Sequence, residues 1–167
     1  DVIDENTIKV IYQNFEEPEI ITMIGIAEME DVQAKNKAIS ISKKFLIDKE
    51  LKLSYDWQGK NEAGEILAYV WVPVGTGYDI YNLFWNVALL INGYGKLSNE
   101  PMNVFRAVFF YESYEQAREK KMGIWKNIST EKPLTFSELS EDVQEYLIEK
   151  YNSEEIESES TVKEETT

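Results

Sequence analysis

At 167 residues, 43% of them hydrophobic, the chain has room for one domain with an appendage and a substantial core. It has no Cys and no His, which removes disulfides, thiolate metal sites, Cys nucleophiles and the commonest general base, and leaves carboxylates, Lys, Arg, Tyr or Ser for any catalysis. The net charge of −14 counts against a nucleic-acid binder, which normally shows a clustered basic surface; residues 131–167 alone hold 12 acidic and 3 basic residues.

No apolar run approaches the ~18 residues of a membrane span, so a soluble chain is expected. The sequence begins at Asp1 without an initiator Met or an apolar signal segment, as a processed or trimmed product would.

Thr7 to Tyr12 alternates, with Ile8 and Val10 on one face, and predicts a half-buried strand. "QNFEEPE" turns the chain into a second strand over Ile20 to Ile26. Asp31 is placed to cap a helix reaching about Asp48, with Ala34, Ala38, Ile41 and Phe45 on its inner stripe. "LKLSYDW" and "EILAYVWVP", separated by "QGKNEAG", predict a β-hairpin. A second helix is expected over Ile80 to Asn92, its apolar face formed by Phe84, Val87, Leu90 and Ile91 and its stop by Gly93. A third is expected over Met102 to Lys121, with Phe105, Val108, Phe109 and Ala117 facing inward and Gly123 ending it. The order of strands, helix, hairpin and two helices indicates an α+β domain rather than alternating βαβ units.

After Trp125, "NISTEKP" reads as a linker and residues 134–151 as a short amphipathic helix capped by Ser140, with Val143, Tyr146 and Leu147 apolar. Such a helix folds back on the domain or engages a partner. Residues 152–167 are mostly Glu, Ser and Thr, which predicts a disordered acidic tail. Lys43-Lys44 and Lys120-Lys121 sit on expected helices and read as solvated faces.

Four stretches in order, "IGIAEME", "NEAGEILAYVWV", "WNVALLINGYGK" and "SYEQAREKKMGIW", resemble the staphylococcal nuclease-like, or thermonuclease, family. The resemblance covers about residues 4 to 126. It implies an oligonucleotide-binding-type five-stranded barrel with three helices, open or missing its first strand here, and the boundaries 1–128 for the nuclease-like domain, 129–151 for the linker and helix, and 152–167 for the tail. In active members it implies two Asp on a calcium ion, a Glu that serves or orients the base, and two Arg that stabilise the charged phosphoryl transition state.

Carried over residue by residue, the pattern departs. "DENT" puts Asn6 at the first metal Asp and Glu5 at a Gly. "TMIGIAEME" puts Thr22 at the first Arg, Ala27 at the second metal Asp, and Glu28 and Met29 at the following Thr-Pro; Glu30 alone keeps the family's residue. In the hairpin, Glu65 stands at the second Arg. The basic loop that active members carry ahead of the first helix is absent, since only "DVQAKNK" separates Glu30 from Ala38.

The expectation is therefore a catalytically degenerate nuclease-like domain used as a protein-interaction or assembly module, with no catalytic residue and no cofactor. The alternative is a divergent metal-dependent phosphodiesterase using Glu30 with Glu28 or Glu65, and only this alternative calls for calcium; Glu28, Glu30 and Asp31 are its candidate metal ligands. A third reading is a binder of single-stranded nucleic acid with Trp57, Trp71 and Trp85 as a stacking platform; core or rim packing is the plainer role for these rings. The "MNVFRAVFF" stretch, apolar on more than one helical face, is a candidate docking surface. Many members of the family are exported, which leans the expected location outside the cytoplasm.

Overall fold

The computed structural model describes residues 1–76, 80–99, 104–126 and 132–164, with side chains to residue 153. Five strands form the main sheet. β1 (Thr7–Ile11) runs antiparallel to β2 (Pro18–Met23), Ile8 opposite Ile21. β2 lies parallel to β5 (Ile66–Val74), with Ile21 opposite Ile66 and Met23 opposite Ala68. β4 (Lys52–Ser54) and β6 (Tyr81–Phe84) both pair antiparallel with β5. A separate two-stranded ribbon joins β3 (Ile26–Ala27) to β7 (Lys96–Leu97). The pairings read β1-β2-β5-β4 with β6 branching from β5, a mixed α+β architecture of the OB-like kind.

The alternation seen in the sequence sets the inward faces: Ile8, Ile21, Met23 and Val70 are buried, as are Ala68 and Val72. The second strand is shorter than expected. It stops at Met23 because Gly25 takes φ 80°, a left-handed turn that suits glycine, before β3 resumes. The buried Asn86 fixes that turn, donating to the Ile24 carbonyl at 2.9 Å and accepting from the Val70 amide at 2.8 Å. Ahead of β1, Val2 bridges Ile8, and the Lys9 amide donates to the Asp1 carbonyl at 2.7 Å. The residues before β1 therefore cover part of its outer edge.

α1 (Val32–Leu46) forms where expected, with Ala34 and Ala38 buried, but its inner stripe continues through Ser42 and Leu46; Ile41 is half-buried and Phe45, expected inside, is 39% exposed, lying against Trp85 at the rim. The second helix does not. α2 spans only Trp85–Ile91, and Tyr81–Phe84, expected as its first turn, is β6. The strand wins there because β5 offers it a partner, and because Phe84 stacks on Trp71 with centroids 4.2 Å apart. Trp85 and Leu89 enter the core, while Ile91 is partly exposed.

α3 (Val104–Glu119) turns two faces inward. Phe110 and Tyr114 join the core cluster of the sheet, Ala117 is buried, and Val108 joins Leu139, Val143 and Leu147 in a second cluster. The inward placement expected of Phe105 and Phe109 is thus corrected: they are 68% and 49% exposed, because the sheet and the C-terminal helix take the other two faces. Met102 and Asn103, and most of the linker, lie outside the described residues.

α4 (Glu141–Glu164) folds back on α3, where Tyr146 meets Phe105 edge-on and Lys150 pairs with Glu112 at 2.5 Å. Its backbone stays helical to Glu164, into the stretch expected as a disordered tail; Glu is a good helix former, and a docked first half supplies the nucleus that an isolated acidic segment lacks. Two 3₁₀ turns that the sequence did not suggest lie at Gly123–Lys126 and Phe136–Glu138. Among the described residues, no helix is long and apolar enough to cross a membrane.

Candidate functional site

The parallel pairing of β2 with β5 sets Ile21 opposite Ile66 and brings Thr22 beside Glu65. The Thr22 hydroxyl donates to Glu65 Oε2 at 2.8 Å, and Asn61 Nδ2 donates to the same oxygen at 2.8 Å. The Glu65 amide in turn donates to Asn61 Oδ1 at 2.9 Å, closing a turn in which Gly64 takes φ 82°. Hydrogen bonds from Thr22 and then Asn61 hold the Glu65 carboxyl below its ordinary 4.5, so it is ionised at neutral pH. Thr22 and Glu65, the positions that the sequence comparison set against the arginines of active members, are thus a hydroxyl and a carboxylate bound to each other.

Asn6 precedes β1. Its Nδ2 donates to the Ile26 carbonyl at 3.2 Å, and its Oδ1 accepts the Thr7 hydroxyl at 2.9 Å. Both ends of the amide therefore tie β1 to β3. Ala27 ends β3 opposite Lys96 and offers no ligand atom from its side chain. Glu28 and Glu30 both point to solvent. Asp31 is occupied as the cap of α1, its Oδ1 accepting from the Gln33 and Ala34 amides at 2.9 and 3.0 Å.

The acidic residue that the structure does bury is Glu5, which the sequence reading placed only as a replacement for glycine. Glu5 is 0% exposed; its Oε1 accepts the Met29 amide at 2.6 Å, and its Oε2 faces the Lys35 ammonium at 3.2 Å. The same ammonium lies 2.8 Å from Asp4. A lysine of α1 thus neutralises two carboxylates at the start of β1. No sequence signal marked it, since a buried Glu is exceptional and its partner lies on another element.

These residues do not fit calcium as the family pattern implies. A hard cation takes six to eight oxygens. Here the second Asp is Ala27, the Asn6 carbonyl is engaged, and Lys35 already supplies the positive charge to Asp4 and Glu5. Among the described residues, no group of three or more His, Cys, Asp or Glu stands in metal-binding proximity.

The three tryptophans proposed for stacking are not brought together. Trp57 is 73% exposed, Trp71 stacks on Phe84 and donates to Ser54 at 2.9 Å, and Trp85 is buried. Trp125 is structural, edge-on to Tyr114 at 5.5 Å.

The chain matches no family model. It is 30% identical over 132 residues to a thermonuclease of Staphylococcus intermedius, a match covering 75% of this chain and 73% of that protein. With the sheet and helices described above, that likeness shows that the chain belongs to the thermonuclease, or staphylococcal nuclease-like, family.

Proposed function

We propose that this chain keeps the nuclease scaffold without the family's phosphodiester chemistry, and serves as a protein-interaction or assembly module. The observation that carries the reading is the Thr22–Glu65 hydrogen bond. A pentacoordinate phosphoryl transition state needs fixed positive charge, and a mutually bonded hydroxyl and carboxylate supply none. A phosphate set about 4 Å from an ionised Glu65 would instead meet repulsion of about 4 kcal/mol at intermediate dielectric. The displaced ligand set at Asn6, Ala27 and Asp31 supports the same reading, and with it the absence of a resident cofactor.

The interaction role draws support from two exposed aromatic surfaces. Phe109 lies on the outer side of α3, where the sequence suggested docking, and Phe105, exposed but edge-on to Tyr146 of α4, borders it. At the far end of the sheet the Tyr12 and Tyr55 hydroxyls meet at 3.0 Å beside Phe15, which is 69% exposed. Residues 1–128 are the nuclease-like unit in this reading, and the OB-type barrel is the architecture the family implies for it.

The alternative, a divergent phosphodiesterase, draws on one observation: Glu30 and Glu28 are both exposed and free of capping duty, so a metal brought by substrate could reach them. Binding of single-stranded nucleic acid without cleavage has less to support it, given the separated tryptophans and the net charge of −14.

Calorimetric titration of the full chain with calcium, and with single-stranded DNA at low and high salt, separates the three. The proposal expects no saturable calcium binding and no DNA binding. Calcium binding removed by Glu30→Gln points to the hydrolase. DNA binding that falls steeply with salt points to the nucleic-acid module.

A further inference from the structure

The start of α1 and the turn that follows α3 flank a groove of about 770 Å³, within the size range of small-molecule sites. Lys37 from the second turn of α1, Lys120 and Lys121 from the turn just past α3, and Lys126 from the following 3₁₀ turn converge on it. Among the described residues none of the four ammonium groups is ion-paired, unlike Lys35, Lys132 and Lys150 elsewhere. The single carboxylate at the rim, Asp31, is bonded to the amides of its own helix. The floor is apolar, with Tyr94 and Ile124 packed against Met29, Ala34 and Ala38.

We infer that this groove is a binding site for a small phosphate-bearing anion. Four positive groups against one spent carboxylate, in a chain of net charge −14, make a local inversion of sign. A concave wall with a low-dielectric floor focuses that field on whatever enters. Lys120 and Lys121, just past the end of α3, also complement the negative end of its dipole. That role does not account for Lys37 or Lys126, which arrive from two other elements.

The backbone is built to hold the lysines in place. Gly93 and Gly123 both take left-handed φ, 68° and 51°, and press backbone on backbone. A Cβ on Gly123 would lie 2.1 Å from the Gly93 carbonyl oxygen, and the Ile124 amide donates to that same oxygen at 2.8 Å. Lysine ammonium groups bind phosphate as point charges without the planar geometry that arginine imposes. Four ammonium groups gathered around one short groove suit a compact, multiply charged anion better than an extended acidic peptide.

The site is distinct from Thr22 and Glu65, so it stands or falls apart from the reading above. The test is titration of the full chain with pyrophosphate, followed by amide NMR and calorimetry, with a polyglutamate peptide in parallel. The expected result is saturable shifts centred on Tyr94, Gly123 and Ile124, weakened by salt. Lys120→Ala/Lys121→Ala should reduce affinity about tenfold or more, and Lys120→Arg/Lys121→Arg should retain it. Thermal melting of both variants checks that each is folded. The inference is overturned if no saturable shift is seen at millimolar pyrophosphate, if the folded double alanine variant binds unchanged, or if polyglutamate binds more tightly than pyrophosphate.

Discussion

The Thr22 hydroxyl and the Glu65 carboxylate are hydrogen-bonded at 2.8 Å, across the parallel seam between β2 and β5. Thr22 is 8% exposed, so truncating Glu65 strands a nearly buried hydroxyl as well as Asn61 Nδ2. Glu65→Ala is expected to lower unfolding stability by about 1–3 kcal/mol, the usual range for a buried polar group left unsatisfied, measured by urea denaturation.

The same contact predicts a pH dependence. The folded carboxyl titrates below its ordinary 4.5, so the unfolded chain binds the proton first. The stabilisation from Glu65 is therefore fully present above pH 4.5 and lost as pH falls through the lowered folded value. Denaturation midpoints between pH 6 and pH 3 should fall less steeply in Glu65→Gln than in the parent chain; parallel curves would remove Glu65 from the account.

Lys35 should matter more than a surface lysine. Lys35→Met leaves Glu5, fully buried, without its cation, at an expected cost of about 1–3 kcal/mol. Adding Glu5→Gln to that variant removes the stranded charge and should recover part of the loss. A double-mutant cycle of unfolding energies reads the coupling directly.

Docking of α4 rests on Leu147, which is 0% exposed between Val108 and Val143. Leu147→Ala should weaken the α3–α4 contact by about 2–5 kcal/mol. Hydrogen exchange should then show α4 amides losing protection while those of β5 keep theirs. Equal loss in both elements would mean that α4 and the sheet unfold as one unit.

Gly123→Ala combines a left-handed φ with a Cβ forced onto the Gly93 carbonyl. A loss of more than 1 kcal/mol is expected, larger than for an alanine at Gly59, where nothing lies within 4 Å. Thermal melts of the two variants make the comparison.

Much of the scaffold was legible in the sequence because it rests on local pattern. Alternation located β1 and the β4–β5 pair, Asp31 marked the start of α1, and Gly93 marked the end of α2. What failed depended on partners. Tyr81–Phe84 runs without a break into the apolar α2, and only pairing with β5 makes it a strand. Around α3 nearly every face is apolar, so the sequence could not say that Phe110 and Tyr114 face inward while Phe105 and Phe109 face out. The candidate site divided in the same way. Its substitutions were visible residue by residue, but the Thr22–Glu65 bond needs the parallel register, and buried Glu5 needs Lys35 from another element.

The central claim is that a nuclease scaffold persists here without its phosphodiester chemistry. Its most direct test is the rate of single-stranded DNA hydrolysis by the purified full chain, with and without calcium, set beside Glu30→Gln. No calcium-dependent rate above the buffer blank is expected, and no difference between the two proteins. Calcium-dependent hydrolysis abolished by Glu30→Gln would contradict the claim.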